Sequence, residues 1–329
     1  MIISWNTTNK CNMFCDHCYR GSGQAAAGEL TTEQAEKLLT EIAEAGFKIM
    51  IFSGGEPLLR PDLCQLIAYA TKLGLIAVIG TNGSLLTKEK VTQLQAAGLK
   101  AAGISLDSLS ALKHNALRKS PHAWQQAVAG MENCRKAGLA FQIHTTVMDW
   151  NAGEIEALTD FAVAKGAKAH HIFFLVPTGR GAAIERHALK RAVYEHLLVK
   201  LMQKAQTVPI EVKPTCAPQF MRVAAQLNLK LRFSKGCLAG TSYCIIGPTG
   251  EVQPCAYLKM SLGNVKETSF VDIWRHNAVL DKLRRAEYGG ACGSCNYQTR
   301  CGGCRARAAY YHAGDYLAAD PLCILNKEG

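Results

Sequence analysis

Ile2-Ile3-Ser4-Trp5-Asn6-Thr7-Thr8-Asn9-Lys10-Cys11-Asn12-Met13-Phe14-Cys15-Asp16-His17-Cys18 runs from a short apolar segment straight into three cysteines. Three thiolates at this spacing can reach one metal centre, and soft sulfur ligands select zinc, copper(I) or iron-sulfur clusters. Structural zinc wants four ligands. Three leave a vacancy, filled from elsewhere in the chain or, on a cluster, by an exogenous ligand to one iron. Three core cysteines in a loop are the plain alternative.

Outward from this stretch, strand, loop and helix repeat to about residue 180. The candidate strands are 2–6, 48–52, 75–80, 100–106, 141–147 and 171–176, short and apolar as buried parallel strands are. Thr31-Thr32-Glu33-Gln34 offers a capping signal for a helix over 35–45, and Gly46, Gly74, Gly98, Gly138 and Gly166 stand where helices close. Six βα units predict a partial (β/α)6 barrel or open α/β sheet, short of a full eightfold barrel. Each strand leads into polar, often Gly-rich sequence: the cysteine loop, Ser53-Gly54-Gly55-Glu56-Pro57, Thr81-Asn82-Gly83, Ser105-Leu106-Asp107-Ser108, Asn151, and Pro177-Thr178-Gly179-Arg180-Gly181. Function collects at the C-terminal ends of strands in such folds. The expected division is a barrel over 1–185, a helix–strand–helix connector over 186–235, and a small domain over 236–329 with one helix near 270–287.

The 14 cysteines divide unevenly, six before residue 237 and eight from there on. No charged n-region precedes a long apolar stretch, so no secretory signal or membrane span is expected, and the chain reads as cytoplasmic. In a reducing compartment clustered cysteines bind metal more often than they pair. The net charge of +11 is spread along the chain without a basic run between aromatics, which argues against nucleic acid and suits an acidic small molecule. Cys237, Cys244, Cys255, Cys292, Cys295, Cys301, Cys304 and Cys323 would fill two four-ligand sites, zinc or iron-sulfur. Pro248-Thr249-Gly250 predicts a hairpin turn. A small domain with no obvious core needs such a metal. Cys64 and Cys134 read as helix-core thiols. Cys216 opens a helix after a short strand, within reach of an active site.

The cysteine motif and Gly54-Gly55-Glu56-Pro57, in that order, resemble the radical S-adenosylmethionine (SAM) superfamily over about residues 2–180. His17 stands where that family usually has an aromatic. The resemblance implies that Cys11, Cys15 and Cys18 hold a 4Fe-4S cluster whose fourth iron takes SAM. It implies that Gly54, Gly55, Glu56 and Pro57 contact SAM, with Asn82, Ser105 and Arg118 as further contacts. The C-terminal cysteines resemble the SPASM domain, which carries auxiliary 4Fe-4S clusters. That implies one cluster on Cys237, Cys244, Cys255 and Cys304 and another on Cys292, Cys295, Cys301 and Cys323. The Cys301-Gly302-Gly303-Cys304 spacing is one residue tighter than usual in that domain.

Ser4–Thr8, Phe174–Gly181 and Cys301–Ala308 are similar to the NirJ and Ahb enzymes of siroheme-dependent heme biosynthesis. That resemblance implies radical removal or oxidation of propionate or acetate side chains of a tetrapyrrole, with a reductase, flavodoxin or ferredoxin as electron donor. Three reactions fit: propionate decarboxylation of iron-coproporphyrin to heme, deacetylation of didecarboxysiroheme, and keto-group formation. Arg180 is then a candidate carboxylate clamp, and His114 or His144 a candidate axial ligand to substrate iron, while His170 and His171 are expected at the far end of strand six. A SPASM-type peptide maturase and an electron-transfer protein without radical chemistry are the alternatives.

Overall fold

The computed structural model describes residues 1–326. Seven parallel strands cross one sheet in chain order: β1 (Ile2–Asn6), β2 (Ile49–Ser53), β3 (Ile76–Thr81), β4 (Ala101–Ser105), β5 (Ala140–Val147), β6 (Ala169–Phe174) and β7 (Glu211–Thr215). Helices α1 (Thr32–Glu44), α2 (Leu63–Lys72), α3 (Lys88–Ala96), α4 (Ala111–Arg118), α5 (Ala123–Ala137) and α6 (Ile155–Lys165) connect the first six. The expected capping box opens α1: Thr31 accepts from the Gln34 backbone, and the Gln34 side chain answers to the Thr31 N–H. Gly138 and Gly166 close α5 and α6 at φ 71° and 80°, which a residue with a Cβ reaches only at a cost.

Alternation along the strands sets the two faces. Ile3, Trp5, Met50, Phe52, Ile79, Ile104, Ile143 and Ile172 are buried under the helices in one continuous core. Each such side chain contributes about 1.5–3 kcal/mol by leaving water. Ser4, Asn6, Ser53, Ser105, His144, His171 and Lys213 occupy the alternate positions, on the inner face.

Residues 186–235, expected as a connector, hold α7 (Arg191–Lys204), β7 and α8 (Phe220–Gln226), and β7 joins the sheet parallel to β6. Strand six begins at Ala169, two residues before its expected start. His171 is therefore mid-strand, opposite His144 and on the inner face, not at the far end. His170 turns the other way, between Thr145 and Thr159.

The C-terminal part also enters the sheet. β8 (Tyr243–Ile246) lies parallel to β1, and the expected hairpin turn returns it as β9 (Glu251–Gln253), which pairs with β10 (Gly263–Asn264). The single helix expected over 270–287 is two, α9 (Phe270–Arg275) and α10 (Ala278–Arg284), because Asn277 caps the second through the Val279 N–H. Their apolar faces lie in the barrel's own core, where Phe47 meets Trp274 edge-on at 5.0 Å and Phe270 at 5.5 Å. α11 (Gly290–Gly293) holds Cys292, and Cys304 stands at the N-cap of α12 (Arg305–Tyr311). Among the described residues no helix is long and apolar enough to cross a membrane.

Candidate functional site

The cysteine loop hangs from the C-terminal end of β1, with Met13, Cys15 and Ala123 buried together and Cys11 and Cys18 packed against them. Each of the three thiols lies within electrostatic reach of the other two. Burial raises Cys11 to about 11, so its thiol keeps its proton until a metal takes its place. Gly54 and Gly55 bring the next strand's loop hard against the start of this one. A Cβ on Gly54 would stand 2.5 Å from the Thr8 carbonyl oxygen, and one on Gly55 would overlap the Lys10 carbonyl. The Gly55 and Glu56 N–H groups donate to those same two carbonyls. Only glycine permits that approach.

Glu56 is wholly buried. Its carboxylate accepts from the Leu58 and Asn82 N–H groups and from the Thr81 hydroxyl. Asp107, just past β4, is also wholly buried, and accepts from Arg118 Nε at 2.8 Å and from the Thr146 N–H. That pairing holds Asp107 well below the usual carboxylate range, despite burial. Arg118 reaches onward to Cys15 Sγ, NH1 at 3.9 Å.

The C-terminal cysteines form two further groups. Cys292, Cys295, Cys301 and Cys323 line one cavity, together with Gly302 and Gly303. Gly302 and Gly303 both have positive φ, 74° and 58°. This compact double turn sends Cys301 to the cavity and Cys304 to a separate apolar cluster with Cys255 and Cys216, so the tight spacing still serves two sites. Arg305 NH2 and the Asp320 N–H point at Cys292 Sγ, each at 3.5 Å. Among the described residues, no three His, Cys, Asp or Glu side chains close on a single metal ion. Four thiols gathered at each place are the donor chemistry that iron-sulfur clusters take.

The radical SAM superfamily profile matches residues 5–162, and that of SPASM, an iron-sulfur cluster-binding domain, matches residues 237–304. An AdoMet-dependent heme synthase of Methanosarcina barkeri is 42% identical over 98% of this chain and 96% of its own length. The chain belongs to the radical SAM superfamily. A second AdoMet-dependent heme synthase, from Nitratidesulfovibrio vulgaris, is 39% identical over 98% of this chain and 91% of that one. SuiB of Streptococcus suis, solved with its precursor peptide SuiA, shares the fold with a TM-score of 0.80 at 17% identity, covering 98% of this chain and 75% of that one.

The structure brings the residues expected around a radical SAM cofactor to one end of the sheet, but uses several differently. Asn82 gives its amide N–H to Asn12 and its carbonyl to Ser84, so it links the cysteine loop to the β3 loop. Ser105 ends β4 on the inner face, half-buried. Arg180, expected as a substrate clamp, is turned onto the cysteine loop. It donates to the Cys15 and Ser22 carbonyls and covers the Phe14 ring at 3.8 Å. Two of its nitrogens thus brace the loop, which turns the guanidinium away from the clamp role expected of it. His114 is buried, with Nδ1 accepting from the Asp107 N–H and Nε2 without a hydrogen-bond partner among the described residues. Cys244 is not brought to Cys237, Cys255 and Cys304. It lies in register with Ile3, in the core beneath the helices. Asp107 was read only as part of the stretch after strand four, while Lys213, on the inner face, and Tyr257, packed on Tyr19, were not singled out. Only Asp107 left a signal in the sequence, a carboxylate directly after a strand's C-terminal end.

Burial pushes Glu56 up to about 7 against an unfolded 4.5. Between those values the folded chain holds more protons than the unfolded one, so stability falls as pH rises through this window and levels off above it. The drop is on the order of 3 kcal/mol. Glu56→Gln loses a hydrogen bond and is less stable throughout, but its denaturation midpoint is flat where the parent's slopes. Urea titrations of the metal-free chain from pH 5 to 8 check this.

Proposed function

We propose that this chain is an AdoMet-dependent heme synthase, converting two propionate side chains of iron-coproporphyrin to vinyl groups. The observation that carries this reading is the 42% identity to the Methanosarcina barkeri heme synthase along essentially the whole of both chains. In each propionate a hydrogen atom leaves the carbon next to the ring and the bond to the carboxylate breaks. Carbon dioxide departs, one electron completes the vinyl double bond, and the other passes to an acceptor. When loaded, the cluster on Cys11, Cys15 and Cys18 with SAM supplies the abstracting radical, and the C-terminal clusters supply a place for the released electron. The electron that starts each turnover comes from a flavodoxin, ferredoxin or reductase.

The inner face supports a flat, polyanionic substrate. Tyr19 and Tyr257 pack at 5.2 Å, and the Tyr19 and Tyr243 hydroxyls donate to Asn6 and Ser4. These rings wall the lumen near Cys255. Across the sheet His144 stacks on His171, 5.4 Å apart and 5° from parallel. Burial lowers both imidazoles, which leaves them neutral near pH 7. Lys213, the residue paired with His171, is a cation on this wall, its Nζ 4.7 Å from the Phe233 ring centre. With Arg180 committed to the cysteine loop, Lys213 is the group that holds a substrate carboxylate. Lys213→Met therefore raises KM for the tetrapyrrole about tenfold, the worth of one charge-assisted hydrogen bond, with little change in kcat. Steady-state assays at saturating SAM check it.

The reading is tested anaerobically with reconstituted protein, SAM and dithionite, offering iron-coproporphyrin and didecarboxysiroheme separately. Loss of carbon dioxide and two hydrogens from each of two side chains of iron-coproporphyrin, in step with 5′-deoxyadenosine, supports it. Reaction of didecarboxysiroheme alone reassigns the chain to the deacetylation step. 5′-Deoxyadenosine with neither tetrapyrrole changed overturns the substrate and makes a peptide the leading candidate.

A further inference from the structure

The structure contains a ligand set for the first auxiliary cluster that the cysteine spacing does not suggest. Cys237, Cys255 and Cys304 lie near one another, as a SPASM domain requires, and Cys216 lies with them. Every pair among these four is within electrostatic reach, and Cys216 and Cys255 pack on the same small apolar cluster as Cys304. Cys244 keeps other company. It is fully buried in the core beneath the helices, and the ionisable neighbours that bear on it are Arg284 and Tyr243 rather than the cysteines of this group. A thiol in such surroundings behaves as a small hydrophobe.

The backbone around Cys216 is built for a purpose. Cys216 follows β7 directly, at the end of the sheet where the cysteine loop lies, and has φ 59°. The left-handed region is unfavourable for a residue with a Cβ and persists only where surrounding structure imposes it. Arg307 does so. Its NH1 donates to the Cys216 carbonyl at 3.0 Å, while Nε and NH2 form a bidentate pair with Asp320 at 2.8 and 2.9 Å. Asp320 in turn accepts from the Cys304 N–H at 2.7 Å. One buried Arg–Asp pair thus fixes the Cys216 backbone against that of Cys304.

We propose that Cys216, and not Cys244, is the fourth thiolate of the auxiliary cluster held by Cys237, Cys255 and Cys304. This rests on the reading that those three cysteines hold an iron-sulfur cluster. The consequence is architectural. β7 is one edge strand of the sheet, and β9, which leads into Cys255, lies by the other edge. A cluster bound by Cys216 and Cys255 staples the two edges across the open side of the barrel, beside the lumen tyrosines.

The test uses the full chain, reconstituted anaerobically with Cys11, Cys15 and Cys18 replaced by alanine, so that only auxiliary clusters contribute. Cys216→Ala, Cys216→Ser, Cys244→Ala and Cys255→Ala are added singly. Iron and sulfide content and the EPR spectrum of the dithionite-reduced protein are recorded. Cys216→Ala is expected to lose or alter one of the two reduced-cluster signals, Cys216→Ser to shift that signal with far-UV circular dichroism unchanged, and Cys244→Ala to match the parent. Loss of a signal in Cys244→Ala, or a parental spectrum in Cys216→Ser, overturns the assignment. The Cys244 outcome stands even if Cys216→Ala fails to fold. A parental spectrum and iron content in Cys255→Ala would show that no cluster sits there at all, a failure distinct from a wrong fourth ligand.

Discussion

If the C-terminal cysteines hold two clusters, replacing Cys15 by alanine takes SAM cleavage below detection while the protein keeps roughly two thirds of its iron, the share of two cubane sites among three. Cys15 is the most buried of the three loop thiols, and the one beside Arg118. Without it one iron of the catalytic cluster lacks its protein ligand and the cluster does not persist. The loop itself stays in place, because Arg180 holds its backbone carbonyls rather than its side chains. Thermal midpoint and circular dichroism of the metal-free chain therefore change little. The measurements are 5′-deoxyadenosine production under dithionite and the iron and sulfide content of the same sample. Cleavage within tenfold of the parent would place the catalytic cluster elsewhere.

The second large effect falls far from that loop. Asp320→Ala destabilises the chain by about 3–5 kcal/mol, the cost of leaving a buried charge without its partner. Asp320 and Arg307 are both almost fully buried and joined by two hydrogen bonds. Gln219 Nε2 and the Cys304 N–H also donate to Asp320, at 2.7 Å each. Its own N–H points at Cys292 Sγ. One carboxylate therefore connects both C-terminal cysteine groups to α8 and α12. The variant is expected to lose iron from both groups while the cysteine loop at β1 stays loaded. Denaturant midpoints and iron counts on anaerobic samples read this. Unchanged stability would mean that the pair is dispensable.

Much of this was legible in the chain. Cys11, Cys15 and Cys18 with Gly54–Pro57 announced the cofactor, since thiolate spacing and glycine-only backbone are local properties. The first six strands were legible because parallel strands are continuous apolar runs. β7 was not. Glu211-Val212-Lys213-Pro214-Thr215 alternates and carries a proline, as an edge strand can. The placement of Arg180 and Cys244 was not legible for a different reason. Spacing tells which residues are near in sequence, whereas Arg180 is committed by carbonyls more than 150 residues away. Cys244 points to the helix side because strand alternation puts it there, and that depended on β8 pairing with β1. Asp320 and Arg307 could not be joined from sequence, because the loop that unites them is set by the cysteine groups.

If a SAM-derived radical takes a hydrogen atom from a propionate of the tetrapyrrole, the 5′-deoxyadenosine it becomes carries that atom away. Iron-coproporphyrin deuterated at the propionate carbons next to the ring makes the transfer visible. The reconstituted protein is given SAM and dithionite, and the 5′-deoxyadenosine is analysed by mass spectrometry. Deuterium in the 5′-deoxyadenosine, together with vinyl groups in the product, is the predicted result. Unlabelled 5′-deoxyadenosine with the propionates intact would contradict it.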